Sequence, residues 1–246
     1  MSKLPNAPLV EVVFELRWKL ESKEELDKHQ YLHGDIYALV KEKYPYRENL
    51  YPSEVPLDVL AHTPTHRFRK EKGGYPLVQT GVGLLTVNTN DKDYFWETYK
   101  DECIATTKKL FDTFDVVRNK ESIVTVLQYQ DFLLFDFEKE NVYDYLKNNL
   151  HIEIKQNFFQ TKNNPYALNL SFQYPTECGN LEIHLQRASN QNKENGILVK
   201  TIMLNSLPVS SDKLHIEEWL EEAHKITSRV FKEMTKGELQ ANFSKK

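Results

Sequence analysis

The sequence predicts an α+β fold: an antiparallel sheet with helices packed on one face, built of two β-α-β-β-β-α-like halves related by a pseudo-twofold duplication. Three observations predict it. Pro8 to Trp18 alternates at period two, with Val10, Val12, Phe14, Leu16 and Trp18 on one face and Glu11, Glu15 and Arg17 on the other, Val13 being the apolar exception. A similar alternation returns from Ile123 to Phe137, and each run of strands is followed by a helical stripe. Sliding the helix that closes the first half by 120 residues sets Tyr99 on Trp219, Glu102 on Glu222, Cys103 on Ala223, Thr107 on Thr227, Leu110 on Val230 and Phe111 on Phe231 without a gap. On this reading residues 1–246 form one domain of two halves, 1–118 and 119–246.

The elements follow in order. After the opening strand, Ser22 and Glu25 have capping-box spacing and start a helix, whose stripe Leu26, Leu32, Ile36, Leu39 and Val40 runs to about Lys43 before Pro45. Residues 47–64, punctuated by Pro52, Pro56 and Pro64, read as a long ordered connection. Three short strands, His66–Lys70, Tyr75–Thr80 and Leu84–Asn90, are joined by Gly73-Gly74 and Gly81-Val82-Gly83. Asn90 or Asp91 then caps a helix carrying Trp96, Tyr99, Cys103, Leu110 and Phe114. In the second half, the strand Ile123–Phe137 carries a bulge near Gln130-Asp131, and Asn141 caps a helix from Val142 to Leu150. Strands are predicted at Ile152–Phe159, Leu168–Tyr174, Leu181–Gln186 and Ile197–Leu204. A last helix runs from Ser211-Asp212 to Thr235, with Gly237 as its C-cap.

Composition excludes several classes. With 13 Phe, 13 Tyr and 3 Trp against 8 Gly in 246 residues, the chain has ample core formers and no disordered signature. A net charge of −4 offers no general attraction for phosphate backbones, so nucleic acid is a disfavoured partner. No apolar run reaches the roughly 18 residues a membrane helix needs, and no signal-peptide pattern opens the chain. Cys103 and Cys178 lack paired spacing, which fits a reducing cytoplasm without a disulfide.

Helices on one face leave the other sheet face to polar side chains: Glu11, Glu15, Arg17, Gln128, Asp136, Asn169, Ser171, Gln173, Glu182, His184, Gln186 and Lys200. Nine of these (Glu11, Glu15, Arg17, Gln128, Asp136, Gln173, Glu182, His184 and Lys200) form the candidate binding face. The carboxylates Glu11, Glu15, Asp136 and Glu182 with His184 supply the acid, base and cation ligands of an enzymatic alternative, although a solvated face gives the same residues. Arg67, Arg69 and Lys70 are candidate phosphate contacts, although charged edge strands account for them too. His29 and His33 have the i, i+4 spacing of a zinc pair, but no third ligand stands at diagnostic spacing and an exposed helix face explains them. His62 and His66 are separated by Pro64. Cys103 on a core stripe and Cys178 in a turn lack an activating context. Gly81-Val82-Gly83 joins two strands, which makes it a hairpin turn and not a phosphate loop. No cofactor and no metal site is predicted.

The opening Pro8-Leu9-Val10-Glu11-Val12-Val13-Phe14-Glu15, together with Arg67-Phe68-Arg69, Leu77 to Asn88 and Trp219 to Phe231, resembles a sporadically distributed, uncharacterised prokaryotic family of roughly 250 residues. The resemblance spans nearly the whole chain but rests on strands and a helix. That family tends to carry an arginine-tyrosine-asparagine cluster in the strand opening its second half, where Leu127-Gln128-Tyr129-Gln130 keeps only the tyrosine. Its patchy occurrence implies an accessory role of the kind found in defence or toxin–antitoxin systems. The expectation is therefore a non-enzymatic, cytoplasmic protein-interaction module that binds a protein partner through the polar face or the 47–64 connection. A homo-oligomer is compatible with it. An enzyme acting on a nucleotide or phosphorylated substrate is the alternative, and nucleic-acid binding the next.

Overall fold

The computed structural model describes residues 4–52, 55–156, 163–208 and 215–245. Nine strands form one sheet in the order β2-β3-β4-β5-β1-β6-β9-β8-β7, and all pairings with a resolved register are antiparallel. The strands are β1 Leu9–Arg17, β2 Tyr46–Asn49, β3 Pro64–Arg69, β4 Leu77–Gly81, β5 Leu84–Thr89, β6 Ser122–Leu134, β7 Asn169–Thr176, β8 Gly179–Ser189 and β9 Asn195–Pro208. The helices are α1 Lys23–Val40, α2 Trp96–Thr113, α3 Asp115–Arg118, α4 Val142–Leu150, α5 Ile216–Met234 and α6 Glu238–Ser244. No helix among the described residues is long and apolar enough to cross a membrane. The chain divides into two units, a first of Glu11–Leu127 with Leu204–Glu221, and a second of Met1–Val10, Gln128–Met203 and Glu222–Lys246.

In the first unit the alternation of β1 does what its period dictates. Val12, Phe14 and Leu16 are fully buried, and Trp18 beyond them is nearly so. Val10, expected among them, is 49 % exposed. Val13, on the polar side, is buried instead. Helix α1 begins at Ser22, whose hydroxyl accepts from the Glu25 amide, while the Glu25 carboxylate turns back to the Glu21 amide. Its buried stripe is His29, Leu32, Ile36 and Val40, and Leu39 is exposed. Helix α2 lies against β5, where the Tyr99 hydroxyl donates to the Val87 carbonyl. Asn90 caps a short 3-10 turn, Asp91–Asp93, before α2 starts.

The connection 47–64 is not free of secondary structure. It contains most of β2, which pairs with β3, and a 3-10 turn at Leu57–Leu60. Gly81-Val82-Gly83 is the hairpin between β4 and β5, as expected. A side chain at Gly81 would run into the Thr63 carbonyl, and Gly83 sits at φ +66°, so both places require glycine.

The second unit has its own core, with Leu133, Phe135, Val142, Leu146, Leu150, Leu185, Ile197 and Phe243 buried together. Asn141 caps α4 by accepting from the Tyr143 and Asp144 amides. Three expectations change here. Strand β6 ends at Leu134, short of Phe137. The strand expected at Ile152–Phe159 is absent over 152–156, where Ile152 and Ile154 pack on the core without a ladder, and 157–159 lie outside the described residues. Gly237 opens α6 instead of closing α5, and the expected start of α5 at Ser211-Asp212 lies outside the described residues.

Candidate functional site

The polar side of the first unit's sheet carries a hydrogen-bonded chain that runs over five neighbouring strands, β2-β3-β4-β5-β1. Its side chains come from Glu48, Arg67 and Arg69, Gln79, Thr86 and Asn88, and Glu11, which the period-two pleat places on one face. Arg67 Nε donates to Gln79 Oε1 at 2.8 Å, and Gln79 Nε2 donates to Thr86 Oγ1 at 3.0 Å and Asn88 Oδ1 at 3.3 Å. Thr86 Oγ1 donates to Asn88 Oδ1 at 2.6 Å, and Asn88 Nδ2 to Glu11 Oε1 at 2.9 Å. Every donor points the same way, from a guanidinium to a carboxylate, so each bond polarises the next.

Tyr75 closes the chain, its hydroxyl donating to Glu11 Oε1 at 2.9 Å. Burial and the Glu11 carboxylate push that hydroxyl up to about 12, so it stays a donor at neutral pH. At the other end Glu48 accepts from Arg69 Nε at 3.0 Å and lies 3.8 Å from Arg67, and Arg69 also donates to the Gly74 carbonyl. Beside the chain on β1, Arg17 Nε donates to Glu15 at 2.7 Å.

The structure thus brings together five of the residues singled out in the sequence: Glu11, Glu15, Arg17, Arg67 and Arg69. Part of this face is closed to solvent. Gln79, Thr86 and Asn88 are only 5, 2 and 4 % exposed, because Arg67 and Glu11 reach toward them from the flanking strands. Glu48, Tyr75, Gln79, Thr86 and Asn88 were not singled out. For Gln79, Thr86 and Asn88 the signal was their shared parity with the register, a polar side chain on the same face of neighbouring strands Leu77–Gly81 and Leu84–Thr89.

The remaining face residues belong to the second unit. On β7 and β8, Gln173 Nε2 donates to Glu182 Oε1 at 3.2 Å, and His184 Nε2 lies 3.2 Å from Glu182 Oε2. These side chains are more open, with His184 33 % and Glu182 22 % exposed. Gln128 on β6 and Lys200 on β9 are half-buried. Asp136 is off the sheet, because β6 stops before it. Lys139 and the Glu138 amide hold its carboxyl below the usual range in a turn. Lys70 follows β3 and is exposed, outside the chain that engages Arg67 and Arg69. The enzymatic alternative is divided, with Glu11 and Glu15 in the first unit and Glu182 and His184 in the second.

The histidines differ from expectation. His29 is 6 % exposed, not part of an exposed helix face, and its Nδ1 has no partner among the described residues. Burial, with His33 and His66 nearby, lowers it to about 4. His33 of α1 stacks on His66 of β3 at 3.9 Å between ring centroids and 4° between planes. Burial, His33 and Arg47 lower His66 to about 4. Two parallel stacked rings do not converge on one ion, and the described residues hold no group of three potential metal ligands. His62 instead binds the Trp18 carbonyl at 3.1 Å.

Neither thiol is in a disulfide, and burial raises Cys103 well above and Cys178 above its usual value, so neither is an activated nucleophile. In the second unit Tyr129 Oη shares a 2.8 Å hydrogen bond with His224 Nδ1 of α5. A shallow cleft of about 290 Å³, lined by residues that include Ile152, Phe172, Tyr174, Ile183 and Met234, opens on the apolar side of β7 and β8. Comparison with protein-family models, curated proteins and solved structures finds no match to the chain.

Proposed function

We propose that the protein is a non-enzymatic protein-interaction module, whose partner is a protein that docks on the polar sheet face of the first unit. The observation that carries this reading is the directed chain from Arg67 to Glu11. It fixes side chains of several strands before any partner arrives, which lowers the ordering cost of association. Opposite charges are already paired, Arg17 with Glu15 and Arg69 with Glu48, which suits a mixed-charge protein surface better than a polyanion. A cytoplasmic accessory role in a prokaryotic defence or toxin-neutralising system is the setting the sequence resemblance suggests.

An origin by internal duplication belongs to the same proposal. Read outward, the strand order is β1-β5-β4-β3 on one side and β6-β9-β8-β7 on the other, the same sequence of elements twice, with β2 added at the edge of the first side. The 120-residue shift also superposes Thr107, whose hydroxyl donates to the Cys103 carbonyl, on Thr227, whose hydroxyl donates to that of Ala223.

The test is capture followed by titration. A protein retained from the native host would be identified, purified and titrated against wild type and an Arg67→Glu, Glu15→Lys variant. We expect at least a tenfold loss of affinity, with a lowered melting temperature because Arg67 is the first donor of the chain, while circular dichroism shows the fold retained. Substrate turnover by the isolated wild type, abolished by the same substitutions, would overturn the reading.

A further inference from the structure

Strand β7, Asn169–Thr176, ends the sheet, and its sequence Asn-Leu-Ser-Phe-Gln-Tyr-Pro-Thr has no charged residue in a chain that is 28 % charged. Its inner side is fully paired with β8, from Asn169↔Gln186 to Thr176↔Gly179. The two-residue loop Glu177-Cys178 makes Thr176 and Gly179 the closing hydrogen-bonded pair. The amide of Arg187 bonds the Leu168 carbonyl, in the same phase. Even-numbered residues therefore aim their backbone groups at β8, and Asn169, Ser171, Gln173 and Pro175 aim theirs outward. Pro175, which has no N–H to offer, stands at an outward place, as an edge requires. Among the described residues no backbone bond reaches that outer side, and the side chains of Asn169, Ser171 and Gln173 are exposed.

Sheets usually guard such an edge with charge, shortness or a bulge. The opposite edge has two of these guards. Strand β2 is four residues long, Tyr-Arg-Glu-Asn, and its Glu48 is held by Arg69. Among the described residues, one edge carries these guards and the other carries none.

We propose that β7 is a homodimer interface, in which β7 of a second copy adds antiparallel across a twofold axis at Ser171. In that register Ser171 faces its own copy, Asn169 faces Gln173 and Leu170 faces Phe172. All three outward N–H groups are then matched, with about six backbone bonds. Apolar meets apolar on the cleft side, polar meets polar on the other, and no like charges meet within the strand. The second copy is the occupant because the strand is complementary to itself in this register. Because β2 is guarded, association stops at two copies and does not propagate as a filament. The interface is separate from the polar face of the first unit and does not depend on it.

The experiment is sedimentation velocity on the full chain over a concentration series. Wild type is expected to move from 29.0 kDa toward twice that mass as concentration rises. Ser171→Lys, at an exposed side chain, places two cations face to face and should sediment as a monomer throughout, as should Ser171→Glu. An equimolar mixture of the two should dimerise again. Circular dichroism on each variant checks the fold. A wild type that stays monomeric at all concentrations, or a Ser171→Lys chain that dimerises like wild type, would overturn the proposal.

Discussion

The polar faces of the two units start from the same pattern, alternate polar residues on antiparallel strands, and arrive at opposite solutions. In the first unit Gln79, Thr86 and Asn88 are buried and joined in one direction from Arg67 to Glu11. In the second, Gln173, Glu182 and His184 make a short, more open set, while no backbone bond reaches the outer side of the neighbouring edge strand among the described residues. The difference is one of commitment. A buried polar group must be satisfied at all times, so the first face is rigid; an exposed one exchanges with water, so the second is adaptable.

The largest break in that comparison comes from converting an amide into an acid on each side. Asn88→Asp replaces the donor to Glu11 with a second buried carboxylate and should cost about 4 kcal/mol at pH 7, with partial recovery as the solution is acidified. Gln173→Glu puts a carboxylate beside Glu182 at the surface and should cost less than about 1 kcal/mol. Urea melts of both variants at pH 7 and pH 5 measure the contrast.

A smaller effect separates the histidines. His29 of the first unit is held neutral in the fold, near pKa 4, against an ordinary value of 6.5. Its folded value is depressed, and the favoured form is the uncharged one. Its contribution is therefore complete above pH 6.5 and is lost as pH falls from 6.5 to 4, a change of about 3 kcal/mol. His29→Leu, which also removes the unpartnered Nδ1, should flatten that part of the acid melt relative to wild type. His184, a third exposed, offers no comparable burial.

Much of this fold was legible in the sequence. The period of β1, the capping box at Ser22 and the glycine turn at residues 81–83 are local signals, and each led to the right element. The expectations that failed depended on tertiary context. Nothing local distinguishes residues 152–156, whose alternation suggests a strand, from chain that packs on a core without pairing. Gly237 has the position of a C-cap, and only the presence of α6 makes it the start of another helix. The site divides in the same way. Charged residues announced Glu11, Glu15, Arg17, Arg67 and Arg69, but the neutral links between them, Gln79, Thr86 and Asn88, gain their meaning from strand register. His29 looked exposed because its partners on other elements are out of reach of helical spacing.

The most direct test of a preordered first face against an adaptable second one is a pair of double-mutant cycles on the full chain. Gln79→Leu with Asn88→Leu measures one coupling, and Gln173→Leu with Glu182→Leu the other. The account predicts a coupling of about 2 kcal/mol in the first unit and less than about 0.5 kcal/mol in the second. Equal couplings, or a larger one in the second unit, would contradict it.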